Sequence, residues 1–246
     1  MRPGPRRFIL ESMPLALTFA LALASSIQAD APAIEAAAPP TDGAAEPATR
    51  VAARVLKILG GVAESATESR YEHRTKIRAR EGIYVWDCSA MAAWVLRKAA
   101  PTARSALTRE RPVARDFYEV IRRAPLRGQA QGWRRIGHIT DVRPGDVFAW
   151  KRPPDFPSKN TGHVGFVVAA PTPAPGWPDA YLVRIADATS LPHGDDTRDP
   201  AGEGGYGEGT LLVLTDGEGQ GIAYGWFGAR SRGVIETPIA FGRLLR

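Results

Sequence analysis

The sequence predicts an α+β domain in which N-terminal helices pack on an antiparallel β-sheet or partly open barrel. Three observations predict it. Helical periodicity is confined to residues 50–124. From about residue 132 short β-rich runs follow one another, separated by turn residues. No helix-length pattern intervenes between those runs, which excludes the parallel alternation of β and α units.

Before the domain, Arg2, Arg6 and Arg7 precede an apolar run over residues 13–24 that ends in small residues and Ala29. This pattern predicts a secretory signal peptide over residues 1–29, with cleavage after Ala29 preferred over Ala31 because Pro32 follows the latter. General and twin-arginine export both accommodate the arginine pair. The apolar run is shorter than the roughly 20 residues a bilayer requires, so no membrane span is expected after cleavage. Residues 30–49, "DAPAIEAAAPPTDGAAEPAT", hold almost no large apolar side chains and read as a disordered linker. Residues 50–246 then form one domain of ordinary size.

Within it, "RVAARVLKILGGVAES" places Val51, Val55, Leu56 and Leu59 at helical spacing, with Gly60 and Gly61 expected to stop the helix. A second helix is predicted from Cys88 to Ala100, with Met91, Val95 and Ala99 on one face and Pro101 as terminator. A third, behind Pro112, turns Phe117, Val120, Ile121 and Ala124 inward. The runs "DVFAW", "HVGFVVA", "YLVRIAD", "LLVLT", "IAYGWF" and "VIETPIAF" read as strands, punctuated by "RPGD", "PTPAPGWPD" and "TDGEGQG". The Gly-rich "AGEGGYGEG" at 201–209 has no preceding strand, following helix or lysine to make a phosphate cradle, and reads as a loop.

The formal net charge is +6, and loss of Arg2, Arg6, Arg7 and Glu11 with the leader leaves +4. The arginines are scattered and not interleaved with aromatics, which argues against nucleic acid as a partner. An anionic envelope polymer explains this charge as well as nucleic acid does, and a plain solvated basic surface explains it better than either. One cysteine and four histidines exclude an intramolecular disulfide and make a thiolate zinc site implausible.

That cysteine, Cys88, follows Asp87 at the start of the second predicted helix. With Asp87 as cap, the thiol lies in the first turn, where unpaired N–H groups and the peptide dipoles favour a thiolate. His163, at the mouth of a strand after a long loop, is the candidate base, and the adjacent Gly162 and Gly165 leave room for a helix or substrate. In "YLVRIADATS" the alternation puts Val183, Ile185 and Asp187 on one face, making Asp187 a buried acid able to accept a hydrogen bond from one imidazole nitrogen. His73, His138 and His193 read as surface residues, although His193 and Asp195 can line a cleft.

These residues resemble a family, the NlpC-type cell-wall cysteine peptidases, a papain-like group. The resemblance lies in "DCSAMAAWVL", in "RPGDVFAW" followed by "GHVGFVV", and in the polar residue on the next strand, and it covers about residues 70–190. It implies a papain-like fold, hydrolysis of amide bonds in peptidoglycan stem peptides, no cofactor and no metal. It implies Cys88 as nucleophile, His163 as base and Asp187 as orienter, and a periplasmic or secreted location. A tyrosine near the oxyanion site corresponds to Tyr71 or Tyr84. The chain departs from the family at Ala90, where glycine is usual, and at Asp187, where histidine is commoner. The alternatives to a hydrolase of this kind are a non-catalytic wall-binding module on the same fold and an amidase or acyltransferase with another substrate.

Overall fold

Thr49 starts the first helix: its Oγ1 accepts from the Ala52 N–H at 2.9 Å and donates to the Leu244 carbonyl at 2.9 Å, so one hydroxyl both caps the helix and ties it to the last strand. This is seen in a computed structural model, which describes residues 45–198, 202, 204–226 and 233–245. The predicted leader, and the predicted linker up to residue 44, lie outside the described residues. Those described fall in one compact unit within residues 34–246.

Helix α1 (Arg50–Ser65) runs through Gly60 and Gly61 where the sequence suggested a stop. Its buried stripe, Ala52, Val55, Leu59 and Val62, spans the glycine pair. Burying Val62 contributes about 1.5–3 kcal/mol, enough to offset roughly 1 kcal/mol per helical glycine. Helix α2 (Cys88–Ala99) is capped by Asp87 and buries Met91, Ala92, Val95, Leu96 and Ala99. Pro101 ends it by opening a new short helix, α3 (Pro101–Ser105), at a position where the missing N–H costs nothing. In α4 (Ala114–Arg123) the Asp116 carboxylate accepts from the Val113 N–H at 2.9 Å, and Phe117, Tyr118 and Ile121 are buried.

The strands lie in two sheets. In the small one, β3 (Ile83–Trp86) pairs parallel with β1 (Glu68–Tyr71) and antiparallel with β2 (Lys76–Arg78). These three lead directly into Asp87 and Cys88. The large sheet contains β4 (Trp133–Ile136), β5 (Val147–Lys151), β6 (Gly162–Val167), β7 (Thr172–Pro173), β8 (Ala180–Thr189), β9 (Gly205–Thr215), β10 (Gly221–Gly225), β11 (Val234–Glu236) and β12 (Ile239–Leu244). All its pairings among the described residues are antiparallel, in the order β11-β10-β9-β8-β6-β5-β12-β4, with β7 on β8. The domain is thus α+β, with few helices and a large antiparallel sheet.

Alternation divides the sheet's two faces. Val164, Phe166, Ala186 and Ala188 pack with α1, α2 and α4 in one apolar cluster that includes Cys88. Val167, Val183, Ile185, Leu211 and Phe241 form a second cluster on the opposite face. Asp146 ties the start of β5 to its neighbour β12: it is fully buried and takes Arg243 Nε at 3.0 Å and Nη2 at 2.8 Å.

Strands β1, β2 and β4 do not emerge from the sequence pattern. "ESRY" and "KIR" are charged and only partly buried, and backbone pairing with β3 holds them extended. "AGEGGYGEG" also differs from expectation, since Gly205–Thr215 is the continuous strand β9. Its glycines at 205, 207 and 209 stand opposite Thr189, Asp187 and Ile185. A Cβ at Gly207 would lie 2.5 Å from Arg198 Cγ, and one at Gly209 would lie 2.5 Å from the His193 ring. The glycines therefore form a lane for side chains that cross the strand.

Candidate active site

Asp87 sets the position of Cys88. Its extended backbone (φ −96°, ψ 176°) ends β3, and its Oδ1 accepts from the Ala90 N–H at 2.8 Å and from Ser89 Oγ at 2.8 Å. Oδ2 lies 3.3 Å from His73 Nδ1, so His73, although exposed, borders the thiol's cap. Cys88 itself is 6% exposed. Its sulfur faces the backbone N–H groups of Ser89 and of Val164, the residue that follows His163.

The protonation state of the thiol differs from the sequence expectation. Burial pushes the Cys88 thiol up, the carboxylates of Asp87 and Asp187 add to this, and the two amides only partly oppose it. A helix N-terminus stabilises a thiolate when the sulfur is solvated or paired with a cation. Here desolvation and two anionic neighbours outweigh it, and the resting side chain is the neutral thiol.

His163 is held by β6. Gly162 precedes it with φ +142°, and a Cβ there would meet the Trp150 carbonyl at 1.9 Å, so only glycine lets the chain enter the strand at this point. The ring lies among Phe148, Trp150 and Trp226, with centroid distances of 5.9, 5.1 and 5.2 Å. Its Nε2 donates to Asp187 Oδ2 at 2.6 Å, which places the ring proton on Nε2 and leaves Nδ1 as the basic nitrogen.

Asp187 is fully buried on β8. Burial pushes its carboxyl up, but the Arg198 guanidinium, together with His163 and His193, holds it well below the usual carboxylate range. Arg198 Nη2 donates to Oδ1 and, at 2.7 Å, to the Asp187 carbonyl. His193 Nε2 stands 3.6 Å from Oδ2, beyond hydrogen-bonding distance, and its ring stacks on Trp226 at 4.0 Å.

Of the two tyrosines, Tyr71 is the one beside the sulfur. Burial raises its hydroxyl's pKa, and Cys88 and Asp87 raise it further, while the Asn160 side chain hydrogen-bonds it. Tyr84 Oη instead meets Ser65 Oγ at 3.1 Å, and its ring packs on Trp86 and Trp94.

Cys88, His163 and Asp187 thus come from α2, β6 and β8 to one corner of the sheet, with Tyr71 from β1. Asp195, grouped with His193 in the sequence, pairs outward with Arg184 at 2.8 Å and Thr210 Oγ1 at 2.6 Å. His138 takes Thr140 Oγ1 at 2.7 Å in a separate turn. Arg198 gave no signal in the sequence beyond the polar "PHGDDTRD" stretch followed by alternating glycines. Among the described residues no group of three or more His, Cys, Asp and Glu side chains is arranged to hold a metal ion, and no helix is long and apolar enough to cross a membrane.

No family model matches the chain, and no solved structure matches it. It is similar to "Uncharacterized protein R653" of Acanthamoeba polyphaga mimivirus, with 31% identity over 182 residues, 65% of this chain and 78% of the viral protein. The chain belongs to the family of that viral protein.

Proposed function

We propose that this protein is an exported cysteine hydrolase of the papain-like NlpC type that cuts amide bonds in peptidoglycan stem peptides. The observation that carries the reading is the 2.6 Å bond from His163 Nε2 to a buried Asp187, with the Cys88 sulfur against the amide of the next residue, Val164. Nδ1, the ring nitrogen left free by that bond, is the atom this reading assigns to take the Cys88 proton. The thiol-bearing helix set against the strands that carry base and orienter supports the papain-like assignment. The basic leader followed by an apolar run supports the periplasm or the medium as its location.

In this mechanism the Cys88 proton passes to His163 Nδ1 as the sulfur attacks the amide carbonyl carbon. The carbonyl oxygen takes up negative charge, met by the Cys88 N–H and the Tyr71 hydroxyl. The C–N bond then breaks, and His163 returns the proton to the leaving amine. Water, deprotonated by the same nitrogen, adds to the thioester, releases the carboxylic acid and restores the thiol. A neutral resting thiol fits proton transfer concerted with attack, and Asp187 stabilises the transient imidazolium. No cofactor enters any step.

The test is digestion of purified peptidoglycan by wild type and Cys88→Ala, with products identified by mass. New amine and carboxyl ends from wild type alone are the expected result; equal products from both end the hydrolase reading. Products carrying a transferred amine identify an acyltransferase.

A second reading, a non-catalytic wall-binding module, is favoured by the burial and raised pKa of the thiol. Alkylation at pH 7 separates the two. A hydrolase uses His163 to take the thiol proton, so His163→Ala slows alkylation about tenfold or more. In a module the rate is the same with and without the imidazole.

A further inference from the structure

We propose that Arg198 is a positioning residue for the Cys88–His163 pair: lying along the glycine lane of β9, it clamps the Asp187 carboxylate so that Oδ2 stays on His163 Nε2. This rests on the hydrolase reading for its consequence in turnover, though not for its geometry.

The side chain of Arg198 is 3% exposed, and a buried guanidinium persists only where its donors are matched. Nε donates to the Gly205 carbonyl at 2.8 Å and Nη2 to the Gly207 carbonyl at 3.2 Å and the Asp187 carbonyl at 2.7 Å. Nη1 pairs with Asp196, and Nη2 also takes Asp187 Oδ1. Each Asp187 oxygen is therefore committed to a different partner, Oδ1 to Arg198 and Oδ2 to His163, and the carboxylate plane is fixed from both sides.

A second imidazole stands near that oxygen but donates elsewhere: His193 Nδ1 donates to the Trp226 carbonyl at 3.2 Å, which leaves its Nε2 with a lone pair in the neutral ring. His193 Nε2 is buried, has no hydrogen-bond partner and lies 3.6 Å from the same Oδ2 that His163 Nε2 engages at 2.6 Å. Only His163 therefore donates to Oδ2, and it keeps that bond only while the carboxylate plane is held. Arg198 on Oδ1 and on the Asp187 carbonyl holds that plane. It also supplies the positive charge without which a fully buried acid takes up a proton and ceases to accept. The other titratable groups facing Asp187 are Cys88 from α2, Tyr71 from β1, Tyr206 from β9 and, through Arg198, Asp196. None of these is a cation, so among the described residues Arg198 is the permanent counterion.

Gly207 is the position from which to test this without altering any charge. It stands in register with Asp187, has an ordinary strand φ, and an added Cβ would press on Arg198 Cγ at 2.5 Å and Nε at 2.8 Å. The experiment compares wild type, Arg198→Lys, Arg198→Met and Gly207→Ala in the full chain, following the His163 ring by NMR against pH alongside turnover on peptidoglycan. In wild type the strongly hydrogen-bonded Nε2 proton of His163 gives a downfield signal that persists into the acid range. In Arg198→Met and Gly207→Ala that signal weakens at pH 7 and its acid midpoint moves up by about one unit or more, while turnover falls about 100-fold. Arg198→Lys retains the signal, because the charge remains, with a smaller loss of turnover.

A merely structural role predicts reduced stability with the ring signal and its midpoint unmoved in the folded fraction, and that result overturns the proposal. If Arg198→Met does not fold, Gly207→Ala decides by the same readout. A wild type inactive on peptidoglycan ends the hydrolase reading yet leaves the ring signal to judge Arg198 separately.

Discussion

His163 Nε2 and Asp187 Oδ2 meet at 2.6 Å from neighbouring antiparallel strands, 24 residues apart in the chain. The pairing needs no distortion of either strand. Phe166 faces Ala186 and Val167 faces Ile185 in the register. His163 and Asp187 therefore share the face of Val167 and Ile185, a diagonal step from each other. The contact costs the protein a buried acid, and that acid's environment yields the first two predictions.

Asp187→Asn removes one of the two carboxylates on the buried Arg198 and leaves the guanidinium with Asp196 alone. We expect a loss of about 3–5 kcal/mol in unfolding free energy, measured by urea denaturation at pH 7. A change below about 1 kcal/mol would mean that Asp196 alone neutralises the guanidinium.

The same residue gives a pH signature. Its carboxyl lies well below the usual range in the folded protein, with burial opposing and Arg198 dominating the lowering interactions. A depressed folded pKa contributes stability that is complete above the unfolded value, about 3.9, and is lost as pH falls through the folded value. The gap between wild type and Asp187→Asn should stay constant from pH 7 to about pH 5 and narrow only below about pH 4. Asp146 and Glu208 act in the opposite sense, since burial raises both, and the comparison between two proteins that share them cancels their part. A gap that closes between pH 7 and 5 would refute the assignment.

Asp87 both caps α2 and raises the thiol. Asparagine caps as well as aspartate but carries no charge. Asp87→Asn should keep the helix and speed alkylation of Cys88 at pH 7–8, with the apparent pKa moving down toward the free-cysteine value of about 8.5. An unchanged or slower rate in a folded variant would show that burial alone controls the sulfur.

Gly162→Ala places a methyl group 1.9 Å from the Trp150 carbonyl at a φ of +142°. The expected result is destabilisation of at least about 1–3 kcal/mol and a displaced His163, seen as loss of the Asp187-bonded ring proton by NMR. Retention of both stability and that proton would show that the strand entry adapts.

Met91→Ala tests the packing of the helix that carries the thiol. Met91 is fully buried in the cluster between α2 and the sheet, and its truncation should cost about 2–5 kcal/mol by urea denaturation. A cost under about 1 kcal/mol would mean that the helix is not anchored there.

Much of this arrangement was legible along the chain, where the signals are local. The cap at Asp87 predicts the start of α2, and the order of helices followed by strands predicts the α+β class, because both depend on residues within a turn or a few pleats of one another. Period-two alternation puts Asp187 on the face of Val183 and Ile185. The glycine pair at 60 and 61 misleads for the same reason: its local cost is real, but Val62 lies under a neighbour that no local window contains. The charged strands β1 and β2 escape notice because β3, and not their own composition, holds them extended.

By itself the sequence determined where the thiol, the imidazole and the carboxylate lie on their own elements, since capping and alternation are fixed by neighbours a few residues away. Only the tertiary structure decided which side chains surround them. It brought Tyr71, not Tyr84, to the sulfur, laid Arg198 and His193 across the glycines of a strand that reads as a loop, and made the resting thiol neutral. Those outcomes depend on desolvation and on charges brought close from distant parts of the chain, and both come into being only when the elements close on one another.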